Sequence, residues 1–157
     1  MEPTGLVAFT LIPRPDFAAT TTVSAANAAD HTAERWAREI FSVPALPAWV
    51  KALFAGREVA AKLLRLPPGD PAMLAVDRVV DGEAVIDTDD RHLRFVATVR
   101  ITPGLVHVTT AVRLKGWRGK LYFAPVRLLH DTVTRAMMIS ALHRLGGLRT
   151  SPAAARP

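Results

Sequence analysis

The 157-residue chain contains no cysteine, which excludes disulfides, thiolate metal sites and a cysteine nucleophile. Aromatic residues make up only 6% of it, and Tyr122 is the sole tyrosine. Sheets that bind nucleic acid usually present exposed stacking aromatics, so nucleic acid is not an expected partner. No run approaches the ~18 uncharged apolar residues of a membrane span, and a membrane partner is not expected either. Met1-Glu2-Pro3 lacks the basic segment that opens a signal peptide, so a cytoplasmic protein is expected. The chain also lacks a G-x-S-x-G elbow, a glycine-rich phosphate loop and the HxH and HExxH metal patterns. Ser24, Ser42, Ser140 and Ser151 lie in no recognisable nucleophile setting.

Acidic residues run out partway along. Residues 1–90 carry 8 basic and 13 acidic side chains, net −5, whereas residues 91–157 carry 12 basic and one acidic, Asp131, net +11. Such a split suits either an anion-binding surface or two halves that fold against each other. Half of the residues are apolar and 22% are charged, the balance of a folded globule large enough for one core. No repeat or linker divides the chain. A single domain is expected over 1–146, with a frayed tail over 147–157 after Gly146-Gly147.

Thr-rich Phe17 to Val23 reads as a first strand. Asp30 is a candidate N-cap for a helix bearing Ala33, Trp36, Ala37, Ile40 and Phe41. A second helix follows the break at Pro44 and Pro47 and carries Trp49, Val50, Leu53 and Phe54, with a weak point at Gly56. Pro67-Pro68-Gly69-Asp70 is a strong stop. The period then becomes two. Met73 to Val80 and Glu83 to Thr88 flank the hairpin turn Asp81-Gly82. His92 to Ile101 and Leu105 to Leu114 alternate about Thr102-Pro103-Gly104 as an antiparallel hairpin. A final helix is expected up to Leu145, starting at Pro125 or preceded by a kinked turn at Gly119 to Ala124. Arg127, Asp131 and Arg135 form a solvent-facing row on it. The fold class is α+β, a curved antiparallel sheet wrapped on a long C-terminal helix with a helix pair after the first strand.

Asp89-Asp90-Arg91-His92 is the densest polar cluster. Asp90 and His92 are two apart and can share a strand face, which suits acid/base chemistry as well as a charged hairpin connection. His107 reads as a solvated strand histidine, His130 as a satisfied helix histidine and Tyr122 as a core-edge phenol. Arg94, Arg100 and Arg113 share one face of the long hairpin. They suit a polyanion, the acidic half of a second copy, or pairing with the strands around Asp77, Glu83 and Asp87.

Four stretches in order carry a resemblance. They are Pro47-Ala48-Trp49-Val50-Lys51-Ala52-Leu53 with Arg57, Asp89 to Phe95, Val108-Thr109-Thr110-Ala111-Val112, and Gly119 to His130. Together they resemble the bacterial domain-of-unknown-function family 2867 over roughly residues 16–145. Arg94, Val96 and Leu128-Leu129 depart from the family pattern. The family looks distantly similar to START and polyketide-cyclase-like (SRPBCC) helix-grip proteins, which hold apolar ligands between sheet and C-terminal helix. The resemblance therefore implies a helix-grip-like domain binding an apolar, polyketide-like metabolite. If it turns its ligand over, it would be a cyclase, isomerase or dehydratase that needs no cofactor and no metal. Asp90 and His92 would then exchange a proton while Arg57 or Tyr122 stabilises an oxyanion. His130 is a further catalytic candidate, and Trp49, Phe95 and Trp117 would line the apolar wall. The alternative is a non-catalytic module that pairs as a homodimer.

Overall fold

A computed structural model describes residues 6–42, 46–65 and 74–146. A short helix α1 (Leu6–Leu11) precedes strand β1 (Phe17–Ser24), which is followed by helices α2 (Ala33–Ile40) and α3 (Ala48–Leu63). Strands β2 (Arg78–Val80), β3 (Glu83–Asp89), β4 (Leu93–Thr102) and β5 (Leu105–Leu114) form a meander, and helix α4 (Gly116–Arg144) closes the fold. The sheet is antiparallel throughout, in the order β1-β5-β4-β3-β2. The α+β class, the long C-terminal helix on the sheet and the helices after the first strand are as the sequence suggests. The expected stop at residues 67–70, the break at Pro44, Met73 and the tail over 147–157 lie outside the described residues, whereas Leu74 to Asp77 are described and are not strand, so the strand expected over Met73 to Val80 is only Arg78–Val80.

Turn chemistry fixes the meander. Asp81 and Gly82 both take positive φ, 49° and 77°, as a two-residue hairpin with the right-handed strand twist requires. At the β4–β5 reversal Gly104 has φ 74° directly after Pro103, the pairing a type II turn favours. Asp16 clamps the sheet edge. Its N–H donates to the Val112 carbonyl (2.8 Å) and its carboxylate accepts from the Leu114 N–H (2.7 Å).

Strand alternation gives the sheet two unlike faces. On one, Val23, Ala84, Val99, Val106 and Val108 pack against Trp36, Ala37 and Ile40 of α2 and against Met137, Met138, Ala141 and Leu142 of α4. On the other, Val85, Val96 and Ala111 are covered by Val7, Ala8 and Ile12 in and just beyond α1. Arg94 ties this second layer together. Its guanidinium donates to both Asp87 carboxylate oxygens (3.2 and 3.0 Å) and to the Leu11 carbonyl at the end of α1 (3.2 Å). That carbonyl has no donor within its own helix.

Part of the charge split is resolved inside the molecule. Asp87–Arg94, Glu83–Arg100 (3.6 Å), Asp89–Lys115 and Glu39–Arg144 (2.9 Å) each join an acid from the first 90 residues to a base from the remainder. The Arg94 hydrogen bonds dominate at Asp87 and hold its carboxyl below the usual range.

Several local expectations change. The cap of α2 is Thr32, whose hydroxyl accepts from the Arg35 N–H (3.1 Å); Asp30 ends a 3-10 turn, Ala28–Asp30. Gly56 does not interrupt α3. Helix α4 begins at Gly116 and runs through Pro125, which leaves the Leu121 carbonyl without its intrahelical donor. The row Arg127, Asp131 and Arg135 is exposed, as expected, but its members reach β1 and form no ion pair with one another among the described residues. Arg127 lies over the Phe17 ring (5.8 Å), Asp131 accepts from the Thr21 hydroxyl (2.8 Å), and Arg135 donates to the Thr22 carbonyl (3.4 Å). These contacts fasten β1 to α4.

Candidate functional site

The buried residues of α4 are mostly apolar, and His130 lies partly buried among them. The Phe17 ring meets Phe123 and His130 edge to face, with centroids 5.3 and 5.0 Å apart. Nδ1 of His130 is buried and has no hydrogen-bond partner among the described residues. Burial pushes its imidazole below the ordinary histidine range, and neighbouring Asp131 opposes this only in part. A buried polar atom without a partner costs about 1–3 kcal/mol. The sequence reading of His130 as a satisfied helix histidine does not hold for that atom.

Arg57 and Tyr122 form the second element. The two residues are 65 apart in the chain, and Nε of Arg57 donates to the Tyr122 hydroxyl where α3 crosses α4. Burial raises the phenol above its usual value, with the charge and hydrogen bond of Arg57 opposing. The guanidinium still has further donors, which suit an anionic or carbonyl oxygen. Tyr122 and His130 are eight residues apart on α4, about 12 Å along its axis. They cannot act on one atom.

The other expected residues are placed differently. Asp90 and His92 lie in the β3–β4 connection, and among the described residues no hydrogen bond joins their side chains. Asp90 instead accepts from the Arg91 N–H (2.6 Å). The connection is occupied with holding the start of α4. The His92 carbonyl accepts from the Lys115 N–H (2.8 Å), and Lys115 Nζ donates to the Asp90 carbonyl (2.9 Å) and to Asp89. Trp49 and Trp117 are 46% and 66% exposed and turn outward. Phe95 stands between Thr88 and Val112 on the helix-packed sheet face, half-buried.

A second polar cluster crosses the opposite face. Glu83, Arg100, His107 and Thr22 sit side by side on β3, β4, β5 and β1. His107 is not a solvated histidine: its Nδ1 meets the Thr22 hydroxyl (2.9 Å) and its Nε2 the Thr102 hydroxyl (2.8 Å). Burial first, then Arg100, holds it below the ordinary range. The sequence signal for this row was period-two alternation, which put His107 and Arg100 on one face. The neighbouring strands were the missing information.

Both histidines bind protons less readily when folded than unfolded. Below about pH 6.5 the unfolded chain takes up protons first, so stability falls as pH drops through that value. The carboxylate contribution of Asp87 is retained until about pH 4 and below. Thermal melts from pH 7.5 to pH 5 check this: a His107→Asn, His130→Asn chain is expected to lose less stability over the interval than the parent.

A family profile described as protein of unknown function (DUF2867) matches residues 11–137. No curated protein and no solved structure matches the chain.

Proposed function

The chain belongs to the DUF2867 family, whose description assigns no activity, and we propose from its geometry that it is a small-molecule-binding domain. The ligand lies between α4, α3 and the sheet, in the manner of a helix-grip protein. The observation that carries this reading is the buried, unpartnered Nδ1 of His130 beside the Phe17 and Phe123 rings. The strand order, with two helices between β1 and β2 and the last helix on the same face, supports it.

The spacing of the polar groups describes the ligand. It is elongated and mostly apolar, with a hydrogen-bonding group at His130 and an electron-rich oxygen about 12 Å away at Arg57–Tyr122. A polyketide-like ring system has this character. His130 is held neutral at pH 7, so it can accept a proton from such a ligand as well as bind it. In any isomerisation or dehydration, His130 is the base this geometry favours, since among the described residues no hydrogen bond joins the Asp90 and His92 side chains.

Native mass spectrometry of the protein purified from its own host is expected to show a bound small molecule. His130→Phe keeps the ring volume and Arg57→Leu keeps much of the packing. Each is expected to weaken retention about five- to tenfold, the loss of one buried hydrogen bond, with circular dichroism unchanged. A parent protein that carries nothing, or variants that retain the molecule equally, would overturn the reading.

A further inference from the structure

The outward surface of α3 and of the first half of α4 is apolar and basic at once, and its large apolar side chains are exposed. On α4, Trp117, Leu121 and Leu128 are 66%, 55% and 82% exposed. At about 100° per residue they share the side opposite Phe123 and His130. On α3, Trp49, Val59 and Leu63 are exposed on the side turned away from Val50 and Ala61. The two helices touch where Arg57 meets Tyr122. Isolated exposed leucines need no explanation, but a stripe of large apolar side chains along one side of a helix does.

The charges around these stripes are of one sign. Glu58 is the only acidic residue in 48–65 and 116–130. Among the described residues, Lys51, Lys62, Arg118, Lys120 and Arg127 have no carboxylate partner. Arg118 lies over the Trp117 ring (5.4 Å), which keeps its charge at the rim of the apolar stripe.

We propose that this surface seats the protein on an anionic lipid bilayer. Trp117, Leu121 and Leu128 enter the interface, and the flanking lysines and arginines meet the lipid phosphates. No helix among the described residues is long and apolar enough to cross a membrane. The attachment is to the surface, which the sequence expectation of no membrane partner, based on spanning segments, did not address. A second copy fits less well, because a twofold contact would set this basic patch against itself. A nucleic acid would satisfy the charges and leave the exposed leucines in water. The stripe on α4 lies opposite Phe123 and His130, and none of its residues belongs to the proposed ligand site.

Co-sedimentation of the full chain with vesicles tests it, comparing phosphatidylcholine alone with phosphatidylcholine and phosphatidylglycerol in about a 7:3 ratio. About tenfold or greater preference for the anionic vesicles is expected at low salt, with a blue shift of tryptophan emission on binding. Leu121→Glu with Leu128→Glu is expected to cut binding about tenfold, as is Arg118→Glu with Lys120→Glu, both with unchanged melting temperature. Equal binding to the two vesicle types would overturn the proposal. So would a leucine variant that binds anionic vesicles and duplex DNA as well as the parent does, which marks simple polyanion capture. A concentration-dependent dimer in ultracentrifugation, abolished by the leucine variant, would assign the face to a second copy and overturn it equally.

Discussion

Replacing Trp36 with alanine is expected to cost about 3–5 kcal/mol, the range for deleting a large buried aromatic side chain. The residue is 1% exposed and stands in the cluster that joins α2, the sheet and the second half of α4. It is also polar at one point: its indole N–H donates to the Ala28 carbonyl (3.0 Å), tying α2 to the turn before it. Alanine therefore leaves a cavity and an unsatisfied carbonyl together, against a total stability of typically 5–15 kcal/mol. Trp36→Phe separates the two effects by keeping most of the volume without the donor, at an expected cost of about 1–2 kcal/mol. Urea midpoints by circular dichroism check both, since a pure stability change moves the midpoint and leaves the slope unchanged. A loss under 1 kcal/mol for the alanine variant would mean that the core beneath α2 collapses around the gap.

Gly119→Ala is expected to destabilise the fold by about 1–3 kcal/mol, although alanine is the better helix former. A Cβ at this position would lie 2.5 Å from the His92 carbonyl oxygen. That oxygen is backbone, and it already accepts the Lys115 N–H at the start of α4. Neither partner can yield without moving the β3–β4 connection or the first turn of α4. Gly56, in the middle of α3, supplies the control, because a Cβ there meets nothing within 4 Å. Gly56→Ala is expected to stabilise by about 1 kcal/mol. The two substitutions are chemically identical and opposite in sign. Equal stabilisation by both would show that α4 does not sit against the connection.

Periodicity made much of the fold legible. The β4–β5 hairpin alternates over ten residues on each side of a Pro-Gly turn, and α2 carries its buried residues at helical spacing. What stayed hidden depends on partners distant in the chain. Helix α1 has six residues and no acidic residue in its first turn, so it is held by packing on Val85, Val96 and Ala111 more than by its own propensity. The Pro125 rule failed because the helix is fixed to the sheet on both sides of the proline, at Phe123 and at His130. The site divided in the same way. Tyr122, Arg57 and His130 could be singled out by residue type, yet spacing alone could not bring Arg57 to Tyr122 or leave Nδ1 of His130 without a partner. Asp89-Asp90-Arg91-His92 had the strongest local signal, and its polar groups serve the join between the sheet and α4.

The place of β1 in the sheet has a consequence for synthesis. Phe17 pairs with Val112, so the first strand leaves the ribosome some 95 residues before its only strand neighbour. At about 5–20 residues per second this is an interval of roughly 5–20 s. The meander β2 to β5 can pair as it emerges, whereas β1 must wait with its backbone unpaired. Its sequence FAATTTVS is rich in strand-favouring threonine and holds no charge, proline or glycine, so until the edge of β5 exists it is open to pairing with a strand of another nascent chain.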